Sequence, residues 1–480
     1  MALALVILPA VMALIAFLVP RNRVRPWLVP LAAAAHLGIV VWALGQPPLV
    51  ALGGWIVLDD LGKLILGFTS VFFFPCALYT PGYLATHPER DNRVFCMALL
   101  AFLAMLSLII ESHHLGLMWV ALEASTLASA PLVYWRRTPQ SLEAVWKYLL
   151  VCSVGVALAL LGSLFLAYST LSAGAQPSLL FEDLVRDAPH LSRPWLDSAF
   201  VLLFIGYGTK MGLAPMHTWK PDTYGEAPGL VGALLAGALT NCAFLAILRF
   251  YRIVTVAGEG AFARQLMIVA GLLSMAVAGV FMARQRDFKR MLAYSSVEHM
   301  GILVIGVGIG GAGVFGSLYH VLNNGLTKGV LFLSAANIHR AFGSKSTADV
   351  SGALRRVPIS GALFLIGFFA ITGSPPFGPF LSEFTIVNAA FTQGHWLVGA
   401  LFLVLLIVIF VGMGATVLAI TQGKPPERLD TTPYKETFLT VAPIVAFAGG
   451  VLMLGLYLPQ PLDKLLHGAA DFVQGRGAGP

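Results

Sequence analysis

The chain is a succession of long apolar runs joined by short polar connections, and this pattern limits the fold more than any motif does. About 20 apolar residues in helical form are enough to cross the hydrocarbon core of a bilayer. Such runs fall at roughly 2–19, 26–45, 62–84, 95–111, 114–135, 144–170, 198–219, 229–250, 264–283, 292–312, 314–338, 360–392, 396–422 and 437–458. They predict an all-α polytopic membrane protein with about fourteen transmembrane helices. Charged residues make up only 11% of the chain, against about a quarter in soluble domains, which excludes a water-soluble enzyme.

The formal net charge of +7 does not point to nucleic acid, because no basic run is interleaved with aromatics. The positive-inside rule accounts for it. By position, about 19 of the 30 Lys and Arg residues fall in odd-numbered connections, about 6 in even connections and tails, and 5 in helices. The clusters are Arg21/Arg23/Arg25, Arg136/Arg137, Arg284/Arg286/Lys289/Arg290 and Arg340/Lys345/Arg355/Arg356. The long connection at about 171–197 is net acidic. Both termini are therefore predicted on the outer side. The first cluster follows the first run, the reverse of a signal peptide's order, so that run is read as a retained helix. Cys76, Cys96, Cys152 and Cys242 stand singly in apolar stretches without metal-ligand spacing. No metal, cofactor or redox centre is expected in this chain, and no phosphate-cradling glycine motif is present.

Residues 203–215 (LFIGYGTKMGLAP) and 364–376 (FLIGFFAITGSPP) share Ile205/Ile366, Gly206/Gly367, Gly212/Gly373 and Pro215/Pro376. These stretches lie in the seventh and twelfth runs. Each is the fourth member of a five-helix block, runs four to eight and nine to thirteen. Gly/Pro interruptions at matching places in two halves mark transporters built from inverted repeats. An odd number of helices per block inserts the second copy upside down. The expected organisation is 1–94 for helices one to three, 95–255 and 264–422 for the two repeats with broken helices seven and twelve, and 437–480 for the last helix and a short tail.

Ionisable side chains inside apolar runs are costly, so they default to functional candidates. Glu123 sits in mid-run, and Lys210 precedes the Pro215 break. Glu298 and His299 lie in YSSVEHMGIL, His320, Asn324 and Lys328 in LYHVLNNGLTKGVLF, and Glu383 follows the GSPPFGP break. The i, i+4, i+8 spacing of His320, Asn324 and Lys328 puts them on one helix face, as a hydrated channel wall requires. Buried Lys, His and carboxylate groups can store a proton and hand it on. Blander readings compete: Glu123 with Lys210 as a structural ion pair, Glu298 as a helix-end hydrogen bonder, His299 as a contact histidine, Asn323 and Asn324 as interhelical glue. Lys63, Glu143 and Lys147 near helix ends are expected to snorkel, and His217 and Trp219 to pack the break.

The set WVALEAST, SLEAVWKY, TKMGLAPMHTWKPD, DFKRMLAYSSVEHMG and FLSEF resembles the antiporter-like subunits of complex I, relatives of Mrp cation/proton antiporter subunits. It is most similar to the hydrogenase-4 component F type, over residues 95–455. The resemblance implies that Glu123 is the glutamate modulating Lys210, that Lys328 is a central-axis lysine, that Glu383 is the exit glutamate, and that His299 belongs to the axis. It also reveals two departures. Asn241 stands where many members carry a bridging lysine, and Asn324 replaces a histidine one turn before Lys328, with His320 a further turn back. The chain ends about 22 residues after its last run, so the long lateral arm of the largest members is not expected.

Together these point to a proton-translocating membrane-arm subunit of an energy-converting redox complex of the group-4 hydrogenase or formate hydrogenlyase-like type. Nickel–iron and iron–sulfur centres would lie in partner subunits: other membrane-arm subunits and a soluble hydrogenase arm. The expected location is a bacterial inner membrane, with both termini periplasmic. Protons are the expected ion, with sodium the alternative. Three other roles remain open: an Mrp-type cation/proton antiporter subunit, the membrane subunit of an inorganic-carbon uptake pump, and a non-pumping scaffold for soluble subunits.

Overall fold

The computed structural model describes residues 2–174, 176–283, 285–426 and 434–476; Arg284 and the tail from 477 onward lie outside them. The chain is helical almost throughout. It begins with α1 (Ala2–Leu18), α2 (Arg25–Leu44), α3 (Asp60–Leu84), α4 (Arg93–Glu111), α5 (Leu115–Val133) and α6 (Pro139–Ser172). The short α7 (Phe181–Asp187) leads to α8 (Arg193–Met211), α9 (Trp219–Glu226), α10 (Gly229–Leu234) and α11 (Thr240–Val256). There follow α12 (Gly260–Met282), α13 (Phe288–Ile309), α14 (Ala312–Phe342), α15 (Ala353–Arg356), α16 (Pro358–Ile371) and α17 (Gly378–Thr392). The last three are α18 (Trp396–Thr421), α19 (Phe438–Leu456) and α20 (Gln460–Val473). One small antiparallel hairpin, β1 (Leu49–Ala51) with β2 (Ile56–Leu58), joins α2 to α3.

Local chemistry sets the helix starts. Asp59 accepts from the Gly62 amide at 2.6 Å to open α3, Thr138 and Ser141 form a capping box for α6, and Asp287 accepts from the Lys289 and Arg290 amides to open α13. Among the described residues, ten helices are long and apolar enough to cross a membrane, counting α10 and α11 as one. The other four expected runs are helical too. They differ because α1 is only 17 residues long, two runs are broken, and α14 carries a polar stripe. Both breaks fall where the repeat places them. Gly212 (φ +84°) ends α8 and Gly373 (φ +66°) follows α16, a backbone conformation open to glycine at little cost. Cis prolines Pro215 and Pro376 come three residues later in each copy. α6 packs on both halves of the first broken helix, α8 and α9, and α14 packs on both halves of the second, α16 and α17.

The connections sort onto two faces. On one, Arg25 bonds Asp91 and Asn92, Arg136 meets His339, and Lys345 pairs with Glu226 at 2.6 Å and Asp287 at 3.0 Å. All four basic clusters lie there, as far as they are described. On the other, His113 joins the hairpin through Trp55, Arg193 pairs with Glu259, and Gln393 donates to Gly310. A buried knot of Asp59, His113 and Arg249 ties α3, the α4–α5 turn and α11 on that second face. The expected tail is not loose: residues 460–473 form the amphipathic α20, which buries Leu466, Phe472 and Val473 against α3, α11 and α14.

On a background without the four cysteines, a membrane-impermeant thiol reagent should label Arg286→Cys and Gln176→Cys from opposite sides of sealed vesicles. Labelling of both from the same side would contradict the two-face arrangement.

Candidate functional site: a buried axis of ionisable groups

The candidate residues collect into one buried belt crossing both halves of the bundle. In the first half, Lys210 of α8 is fully buried. Its ammonium donates to Thr126 Oγ1 of α5 and, at 3.3 Å, to the Tyr148 hydroxyl of α6, whose ring lies 5.1 Å from it. Glu123, half-buried one turn before Thr126, accepts from Ser153 Oγ at 2.6 Å and leaves Oε2 without a partner. The blander reading, a structural Glu123–Lys210 ion pair, is not formed at contact distance among the described residues. Hydroxyls solvate Lys210 instead.

In the second half, α13 and α14 face each other with matching stripes. Lys328 donates to Ser295 Oγ at 2.7 Å, and one α13 turn on, His299 Nδ1 lies 2.9 Å from His320 Nε2. The i, i+4, i+8 reading of α14 holds as a face: His320, Asn324 and Lys328 are all fully buried. Glu298, 2% exposed, lies with its Oε2 3.7 Å from His299 Nε2. The far nitrogen of His320, Nδ1, is 2.9 Å from Ser382 Oγ, next in sequence to Glu383. Glu383 leaves Oε1 unpartnered, and its other oxygen lies where a Cβ on Gly373 would stand, 2.3 Å away. The broken helix therefore brings the last carboxylate to the histidine pair.

Ligand atoms of His299, His320 and Glu383 all lie within 4.8 Å of one another, donor types that a divalent cation accepts. His299 and His320 already share an imidazole–imidazole hydrogen bond, and such a bond is what proton transfer between rings requires. Two asparagines stand apart. Asn241, just after the π-helical turn Leu235–Leu239, donates to Gly237 O of its own helix at 2.7 Å; no hydrogen bond links it to Lys210 or Lys328. Asn324 has no hydrogen-bond partner on either amide atom, and Asn323 donates to Gly378 O.

The residue that the sequence did not single out is Lys220. The break between α8 and α9 turns it inward, fully buried, with its stem under Gly212 and its ammonium donating to Ser296 Oγ at 3.1 Å. No carboxylate reaches it among the described residues. The only signal was its place five residues after Pro215, since a lysine beside a helix break has a way into the core that a lysine in a straight run lacks. The serines of YSSVEH and LSEF take ionisable groups from other helices: Ser295 takes Lys328, Ser296 takes Lys220 and Ser382 meets His320.

The fold is that of a polytopic helical membrane subunit with two broken helices, and it buries Lys, His and Glu side chains in both of its halves. Residues 112–410 match the family described as NADH:quinone oxidoreductase/Mrp antiporter, TM, and the chain belongs to that family as a proton-translocating membrane subunit of an energy-converting complex. It is 33% identical over 473 residues to a hydrogenase-4 component F homolog of Methylacidiphilum infernorum, covering 95% of this chain and 96% of that one. A subunit of respiratory complex I from Thermus thermophilus superimposes with a TM-score of 0.77 at 27% identity, covering 95% and 97%. A subunit of the Mrp complex from Dietzia sp. shares the fold, with a TM-score of 0.85 at 20% identity over 98% and 97%.

Gly373→Ala should cost about 1–2 kcal/mol in backbone strain and displace Glu383. Proton translocation should fall more than thermal stability in detergent does. A variant with wild-type translocation would mean that the Glu383 position does not matter.

Proposed function

We propose that the chain carries protons through the membrane arm of a redox complex of the group-4 hydrogenase or formate hydrogenlyase-like type. The observation that carries this reading is the set of buried groups from Lys210 to Glu383, with hydroxyls beside Lys210, Lys220, Lys328 and His320. The component F relative, matched nearly end to end, supports the hydrogenase branch. Nickel–iron and iron–sulfur centres would then belong to partner subunits, including a soluble arm, and this chain would hold none. With all fourteen runs spanning, the positive-inside rule puts the basic face in the cytoplasm of a bacterial cell and both termini outside.

Each residue has a role in this reading. A proton from the cytoplasmic face reaches Lys210. An ammonium buried away from any carboxylate is held at a cost of several kcal/mol, so small movements of Glu123 or of the hydroxyls change its protonation. Lys220 takes the bridging place that Asn241 cannot fill, because an amide cannot store a proton. Ser296 and Ser295 join Lys220 to Lys328 across one peptide of α13. Beyond Lys328, Glu298, His299 and His320 pass the proton by alternating ring tautomers. Asn324 lines this stretch, and its unpaired amide suits ordered water. Glu383 receives the proton beside the broken helix, where freed backbone groups favour hydration, and releases it outward.

In the assembled complex in vesicles, Lys220→Met should reduce proton translocation at least tenfold while redox turnover and assembly persist. Asn241→Leu should cost far less. The reverse order would return the bridging role to α11. Glu383→Gln keeps shape but cannot ionise and should stop release, whereas Glu383→Asp should keep part of it. Equal wild-type activity of both would make Glu383 structural. Translocation that follows a sodium gradient and survives a protonophore would assign sodium as the ion.

A further inference from the structure

Apart from the axis, a cavity of about 290 Å³ opens among the ends of α3, α5 and α14 and the starts of α10 and α13. It lies on the face that gathers the basic clusters. Its walls include His87, Arg90, Arg136, Lys289, His339 and Arg340, and no carboxylate lines it among the described residues. The nearby acids are engaged elsewhere: Glu226 and Asp287 pair with Lys345, and Glu89, 65% exposed, lies 3.8 Å from Arg90.

The cations are poorly paired. Lys289 donates to the Gly225 and Ala227 carbonyls at 2.9 and 2.5 Å, so its hydrogen bonds go to carbonyls and not to a carboxylate. Arg340 lies over the rings of Tyr83 (5.4 Å) and Tyr434 (5.1 Å), and its buried Nη1 has no hydrogen-bond partner. The two terminal nitrogens of Arg136 face the two ring nitrogens of His339 at 3.4 and 3.1 Å. A neutral imidazole has one N–H, so one of these approaches sets donor against donor. Outside the helices, burial first and the Arg340 charge second push the His87 imidazole below its ordinary value.

Such a pocket lacks an anion, and we infer that it binds a phosphate group, held between Arg136 and Arg340 with Lys289 at its base. Tetrahedral phosphate oxygens match guanidinium forks and accept several donors at once. The group can come from an anionic lipid headgroup, as in basic pockets between membrane helices, or from soluble phosphate.

The test uses the full chain, delipidated in detergent and then supplied with phosphatidylglycerol, phosphatidylcholine or inorganic phosphate. Retention is read by native mass spectrometry and phosphate binding by calorimetry. The expected result is at least tenfold better retention of phosphatidylglycerol than of phosphatidylcholine, with competition by millimolar phosphate. Arg136→Gln with Arg340→Gln should lose that tenfold at an unchanged melting temperature. Should the pair fail to fold, Lys289→Gln alone must weaken binding, and Arg136→Lys with Arg340→Lys must keep part of it. Phosphate binding without lipid binding, with the same variant dependence, assigns the soluble source. Neither probe binding, variants binding as well as wild type, or a partner-subunit carboxylate cross-linking to Lys289 in a complex that binds neither probe would overturn the site.

Discussion

Adjacent serines on α13 hold two buried ammonium groups that arrive from different helices, and the rest of the axis is arranged around that junction. Ser296 receives Lys220 from the broken helix of the first half, and Ser295 receives Lys328 from α14 of the second. A charge in a membrane interior costs several kcal/mol unless something solvates it, and here hydroxyls do so in place of carboxylates. Carboxylate partners would fix each ammonium as a static pair. Hydroxyls donate as well as accept, so they tolerate either protonation state of the amine. The same device recurs at Lys210, with Thr126 and Tyr148, and at His320, with Ser382.

The broken helices make the junction possible. A straight helix would keep its backbone sealed and expose Lys220 at its end. Ending α8 at Gly212 and restarting at Trp219 lets Lys220 fold back beneath the break, and Trp219 closes it by donating to the Thr209 carbonyl at 2.9 Å. The second break does for Glu383 what the first does for Lys220. Two halves with matching interruptions thus deliver one ionisable group each to a belt centred on α13 and α14.

Helix positions were legible in the sequence because hydrocarbon leaves so few alternatives: apolar runs of spanning length are helices, and Gly–Pro interruptions are breaks. The one-face stripe of His320, Asn324 and Lys328 was legible for the same reason, from periodicity alone. Lys220 was not, because run length assigned it to a connection and only the backbone turn after Gly212 brings it inside. Glu123 was readable as the group that modulates Lys210, but the turn of α5 that separates the two, whose Thr126 takes the ammonium, was not. Amphipathic α20 escaped notice because a helix lying along a face needs neither spanning length nor uniform apolarity.

On the proposed reading, charge moves through this belt without being needed to hold the bundle together. Lys328→Met tests it most directly, with proton uptake and redox turnover recorded on the same vesicles containing the assembled complex. The protons moved per turnover should fall at least fivefold in this variant, while the complex assembles and its electron transfer continues. An unchanged ratio of protons to electrons in correctly assembled complex would contradict it.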